Sequence, residues 1–308
     1  MAEVKSSVGI SKGMFVAGIV VAILISSLAS TVASMMLSVG PKGDRGDQGI
    51  QGPQGIQGEP TNETELLNLK DKVNDLENRL AAIENRFSLR GYWKFDEGTG
   101  AIAYDSSMYN NDGYLAGGAL WADGKYNKSL SFGGEDEYFY VPNSRNLWLQ
   151  SFTLELWINL TRRPFEHGHS SSAILNKFHI VGGAGYGYKI QFETPTSEND
   201  HLVVAIGDGV ANRSLIDYNS ISDITLNQWH HIVATFNGSI AMLYIDGALK
   251  ASSSPQPYEI KYDDTPLCIG VEYYDGNPFF NGLVDNLVIY DRPIAANEVL
   301  QHYTSPPP

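Results

Sequence analysis

From Gly40 to Pro60 the chain reads G-P-K, G-D-R, G-D-Q, G-I-Q, G-P-Q, G-I-Q, G-E-P, with glycine at every third position. Three polyproline-type chains wound about one axis leave room there for a hydrogen atom and nothing larger. The period therefore predicts a collagen triple helix over residues 40–60 and, with it, three copies of the chain. Lys42 with Asp44, and Arg45 with Asp47, can pair between neighbouring chains. Arg45-Gly46-Asp47 matches an adhesion tripeptide, but the collagen period already demands Gly46, so the match is accidental.

A second strict period follows at once. Leu66, Leu69, Val73, Leu76, Leu80, Ile83 and Phe87 are spaced alternately three and four residues apart, the a and d positions of a heptad. Glu65 to Lys70, Lys72 to Glu77 and Arg79 to Glu84 place opposite charges at g and the following e of a neighbour, which favours parallel helices in register. Residues 61–88 are expected to form a short coiled coil. Abutting a three-chain repeat, it makes a homotrimer joined through residues 40–87 the expected state.

Before the stalk, residues 14–39 carry no charge, and about 20 apolar residues suffice to cross a bilayer. Lys5 and Lys12 precede this stretch and favour a cytoplasmic segment 1–13. A transmembrane anchor is preferred over a cleaved signal peptide ending near Val32-Ala33-Ser34 or a prepilin-type site at Gly13, and all three export the rest of the chain. Asn62, Asn127, Asn159, Asn212 and Asn237 each open a glycosylation sequon, in keeping with an exterior location.

Beyond residue 88 the period changes. Phe152, Leu154, Leu156 and Ile158 alternate strictly along one run, and two further runs, beginning at Trp229 and Ile240, are joined by Asn237-Gly238-Ser239. Asp246-Gly247 closes another tight turn of the primed type. Residues 89–304 are expected to be one all-β head, a sandwich of two antiparallel sheets, with 305–308 a tail. A formal charge of −14 argues against nucleic acid as partner. Cys268 is the single cysteine, so no intrachain disulfide exists, and Leu267-Cys268-Ile269 reads as a buried strand.

Several of these stretches carry a family resemblance: Gly91–Gly98 (GYWKFDEG), Asp105–Gly113 (DSSMYNNDG), Ser129–Gly134 (SLSFGG), Phe152–Ile158, Trp229–Phe236, Leu243–Gly247 and Phe280–Tyr290. In order and spacing, over about residues 91–303, they resemble the strands of a laminin-G-like, concanavalin A-type jelly roll. The resemblance implies extracellular recognition of carbohydrate or of a surface protein, often with bound calcium. It does not name a ligand.

Strand alternation puts Asp285 on one face with Leu283, Leu287 and Ile289, so its carboxylate is expected to be buried and to need a metal or several donors. The 105–113 loop offers Asp105, Asn110 and Asp112, oxygen ligands of the kind calcium takes. Asp105, Asn110, Asp112 and Asp285 are expected to share one structural calcium site, although Met108 stands where a glycine is common. Tyr186, Tyr188, Tyr258, Tyr262, Tyr273, Tyr274, Phe279 and Phe280 sit near loops, and Tyr273, Tyr274, Asp275 and Asn277 make the preferred binding loop. His167 and His169 lack a third metal ligand. No catalytic signature is present: the strand where glycoside-hydrolase relatives carry paired carboxylates holds Glu155 alone, so no enzyme is expected.

The expectation is a trimeric surface protein that displays lectin-type heads for multivalent recognition of carbohydrate. Adhesion to a protein partner, or a structural envelope or filament role, is the alternative.

Overall fold

The computed structural model describes residues 63–163, 171–196, 199–219, 221–272 and 279–305. The expected anchor and collagen repeat lie outside these residues, as do Asn62, His167 and His169 and the loop residues Tyr273, Tyr274, Asp275 and Asn277. Among the described residues no helix is long and apolar enough to cross a membrane.

The heptad stretch is helical, as its spacing requires, over α1 (Glu63–Ser88). In the single chain Leu66, Leu69, Leu76, Leu80, Ile83 and Phe87 are all exposed. The helix runs directly into β1 (Leu89–Trp93). Its last turn is tied down: the Asp291 amide donates to the Ser88 carbonyl at 2.9 Å, and Arg292 donates to Ser88 Oγ at 3.2 Å and to Asn85 Oδ1.

The head continues with β2 (Ile102–Ala103), β3 (Gly113–Ala116), β4 (Leu120–Asp123), β5 (Lys128–Gly133) and β6 (Tyr138–Val141). The long strands β7 (Phe152–Leu160), β8 (Ser171–Val181), β9 (Ala184–Thr196) and β10 (Asn199–Asp208) follow, then β11 (Asn212–Tyr218) and β12 (Trp229–Phe236). Last come β13 (Ala241–Ile245), β14 (Ala248–Ser252), β15 (Leu267–Ile269), β16 (Asn281–Tyr290) and a C-terminal helix, α2 (Ala296–Thr304). Pairing is antiparallel throughout. One sheet has the order β14-β13-β12-β7-β16-β5-β4, with β1 also on β16, and the other β11-β10-β9-β8-β15-β6-β3-β2.

Alternation builds the core between them. Phe152, Leu154, Leu156 and Ile158 of β7 pack in one cluster with Ile232, Ala234 and Phe236 of β12 and, from the second sheet, Tyr188, Ile190, Phe192, Val204 and Ile206. The β12–β13 hairpin turns at Asn237, as expected, and the next turn uses Asp246 and Gly247 at φ 52° and 76°, the left-handed pair a primed turn needs. Cys268 is buried on β15.

Two features depart from the sequence reading. First, β16 carries a bulge. Asp285 pairs with Trp157 but Val288, not Leu287, pairs with Glu155, and Asn286 sits at φ 49°. The extra residue reverses the alternation, so Leu287 and Ile289 face the core while Asp285 lies on the outer face beside Trp157. Second, that outer face is covered. Tyr92, Val233, Tyr244, Val288 and Tyr290 form a smaller cluster with Ile294 and with Val299 of α2. Strand β7 is consequently buried on both sides.

Glu155 lies under this cover, 1% exposed, with Oε1 2.9 Å from His231 Nε2 and Oε2 2.9 Å from His302 Nδ1. Burial pushes the carboxyl up, and the hydrogen bonds from His231 and His302 outweigh it, so Glu155 titrates below its ordinary 4.5. For His302 burial works downward and the bond to Glu155 outweighs it, raising the imidazole above its ordinary 6.5. By linkage, the carboxylate's share of stability is present above pH 4.5 and lost as pH falls through its lowered value. The imidazole's share is present below pH 6.5 and lost as pH rises through its raised one. A His302→Gln variant should accordingly melt below the parent protein by the widest margin between pH 4.5 and 6.5, the gap narrowing toward pH 9. A gap that is independent of pH in thermal melts would overturn this linkage between the pair and stability.

Candidate binding cleft

A single 3-10 turn, Arg145–Leu147, starts the site. Ser144 Oγ caps it by accepting from the Asn146 amide, and the chain then delivers Trp148 to the surface. The Trp148 indole N–H donates to Asn143 Oδ1 at 3.0 Å, and its ring stacks on Tyr262 at 5.5 Å with planes 12° apart. Tyr262 is itself fixed, because its hydroxyl accepts from the Leu149 amide at 2.8 Å. Gln150 clamps the neighbouring strand-like segment: its Nε2 donates to the Ile260 carbonyl at 2.8 Å, and its Oε1 accepts from the Ile260 amide at 2.9 Å.

The rest of the lining comes from the second sheet. Tyr186 projects from β9, and Gly209 and Val210 form the β10–β11 turn. Asp208 holds that turn, accepting from Val210 N at 2.9 Å, Ala211 N at 2.8 Å and Arg213 Nε at 2.7 Å. The Ala211 N–H, followed by the Arg213 guanidinium, holds the carboxyl down to about 2. Together these residues line an open cleft of about 660 Å³, with Ile260 and Lys261 also in the lining. Aromatic rings held by hydrogen bonds, with amide and charged groups around them, suit a polyhydroxylated ring that offers an apolar face and an equatorial rim of hydroxyls.

Of the aromatics singled out from sequence, Tyr186 and Tyr262 line this cleft. Tyr188 and Phe280 do not, since both are fully buried in the core. Trp148 was missed. Its signal was available: a polar, capped turn ending on a tryptophan leaves a large ring at a surface.

The four expected calcium ligands are not brought together. Asp105 is buried and closes its own loop, with its two oxygens accepting from Tyr92 N, Ser107 N, Asn111 N and Ser107 Oγ at 2.7–2.9 Å. Asp112 Oδ1 accepts from the Asp105 amide at 2.9 Å, and Asn110 sits at φ 52°. Asp285 bonds elsewhere, to the Tyr126 amide at 2.9 Å and Asn286 Nδ2 at 3.0 Å. Burial pushes its carboxyl up to about 7, against the pull of the Tyr126 N–H and with help from Asp96. Among the described residues no three His, Cys, Asp or Glu side chains gather to hold a metal. Asn127, Asn212 and Asn237 are exposed, while Asn159 is half-buried on the central strand β7.

The fold has solved counterparts. The binding domain of botulinum neurotoxin serotype D is 14% identical, with a TM-score of 0.55 over 72% of this chain and 52% of that one. The binding domain of Paraclostridial Mosquitocidal Protein 1 is 20% identical, with a TM-score of 0.56 over 71% and 52%. Domain 4 of AbnA, a GH43 extracellular arabinanase from Geobacillus stearothermophilus, in complex with arabinotriose, is 20% identical, with a TM-score of 0.50 over 70% and 97%. The chain thus spans about half the length of the toxin binding domains it matches. At these identities the likeness is one of fold. No curated protein matches the chain. A family profile does match, over residues 132–300, which is more than half of the chain and runs from the end of β5 into α2. By that match and by its two antiparallel sheets, the chain belongs to the concanavalin A-like lectin/glucanases superfamily.

Proposed function

We propose that the head is a non-catalytic binding module for carbohydrate and that the cleft between Trp148 and Tyr186 is where the sugar sits. The cleft itself carries this reading: a Trp148–Tyr262 stack held in place, a further aromatic in Tyr186, and polar groups in an open depression large enough for a short oligosaccharide. The arabinanase domain of similar fold was solved with arabinotriose, and the toxin domains of similar fold are named as binding domains. Against catalysis, Glu155 is sealed between two histidines under α2 and cannot reach a ligand. Full-length protein in detergent should bind a subset of sugars on a glycan array. Tyr186→Ala and Trp148→Ala should each weaken that binding about tenfold or more, the size expected when an aromatic contact is lost. The head should stay folded in both, with Tm lowered only in Trp148→Ala, which loses the Tyr262 stack. An empty array, or variants that bind like the parent, would overturn the reading.

The same proposal includes a homotrimer. A leucine seam along α1 is exposed among the described residues, and three parallel copies would bury it. A collagen segment of about 60 Å at roughly 3 Å per residue would then carry three heads away from a membrane anchored through residues 14–39. Three linked weak sites gain avidity of roughly 10²–10⁴-fold. An ectodomain beginning at Gly40 should sediment as a trimer at micromolar concentration, and Leu76→Asp with Leu80→Asp should reduce it to single chains with folded heads. A parent ectodomain that sediments as one chain would remove this part.

Calcium belongs to the proposal only at the 105–112 loop, where the Asp105 amide donates to Asp112 Oδ1 and Asn110 takes a left-handed backbone at φ 52°.

A further inference from the structure

The aromatic cleft has a neighbour with which it shares a wall. Trp148 and Gln150 also line a second depression of about 280 Å³, together with Arg90, Arg145, Ser151 and the acidic Asp291. A ligand long enough to pass over Trp148 would therefore meet two different surfaces, one aromatic and one polar.

The charges around this groove do not cancel. Arg90 is matched, since it donates through Nε and Nη2 to Asp291 Oδ2 and through Nη1 to the Tyr109 hydroxyl. In the first cleft Asp208 is occupied by two amides and Arg213, and Lys261 is paired with Glu259. Arg145 has no ion pair among the described residues. It is exposed, and its guanidinium carbon lies 5.5 Å from the centre of the Trp148 ring. On a chain of net charge −14, one unmatched arginine laid against the aromatic wall of the groove is the reverse of the overall electrostatic character. Stacking on the indole restricts the side chain before any ligand arrives, so less rotamer freedom is lost on binding. A planar guanidinium held in this way offers paired N–H donors to a carboxylate or sulfate.

We propose that the groove takes an acidic oligosaccharide, one ring seated between Trp148 and Tyr186 and the next presenting a uronate carboxylate or a sulfate to Arg145. This inference rests on the carbohydrate reading above and adds the charge of the ligand to it.

The test uses full-length protein in detergent and three matched sets on one array: neutral galactose trisaccharides, trigalacturonate, and sulfated galactose trisaccharides. An acidic trisaccharide should bind about five-fold or more tightly than its neutral counterpart, the scale of one charge-assisted contact at a surface. The advantage should shrink as salt is raised. Arg145→Gln should erase the advantage while leaving the neutral affinity and Tm unchanged, and Trp148→Ala should weaken all sets that bind. A gain confined to trigalacturonate or to the sulfated set names the anion. Neutral and acidic sugars binding equally, or an acidic advantage that survives Arg145→Gln, would overturn the inference and leave the carbohydrate reading standing. Binding to none of the array's sugars would overturn both.

Discussion

Burying the central strand on both of its faces is the constraint from which the rest of the head follows. One side of β7 is plain hydrophobic packing, in which Phe152, Leu154, Leu156 and Ile158 meet the second sheet. The other side is not, because Glu155 falls there. A lone carboxylate at that depth costs several kcal/mol, and it persists because His231 comes from the neighbouring strand and His302 from the last helix. The charge thus recruits the C-terminus. Around it Trp157 stacks on His231 at 4.9 Å and on Tyr303 at 5.7 Å, so a polar necessity and an aromatic layer close the same face.

How far all this could be read from sequence depends on the range of the interactions. The run 152–158, the Asn237 hairpin and the Asp246-Gly247 turn are local patterns, and the chain obeys them. The heptad was equally plain. The bulge in β16 was not, because Asn286 looks like any polar residue on a strand. Only the pairing with β7 shows that one residue is extra and that Asp285 therefore faces away from Leu287 and Ile289. Helix α2 was hidden for a similar reason. Ala295 caps it with no side-chain hydrogen bond, and its helical face is fixed by the tertiary contacts of Val299 and His302 rather than by any start signal. The cleft is the extreme case, assembled from Trp148, Tyr186, Val210 and Tyr262, residues far apart in the chain whose adjacency exists only after both sheets have formed.

The Asp105 loop shows how one composition can serve two ends. Asp, Asn and Ser in close succession suit a cation through their oxygens, and equally suit a carboxylate that gathers its own backbone amides. Here Asp105 is supplied with four donors from Tyr92, Ser107 and Asn111, so the loop ties β1 to the chain that follows it. Trp93 adds to the same tie, its indole N–H donating to the Asn111 carbonyl at 2.9 Å.

The passage from α1 to β1 has a mechanical corollary. With no spacer residues and with Arg292 bonded to the last helical turn, the stem is braced against the head by side chains as well as joined to it by the backbone. A bundle of three such stems would set its grooves at one unvarying angle and separation, so that simultaneous engagement becomes a ruler. It would select targets whose repeat distance matches that spacing and pass over the same chemical group scattered at random.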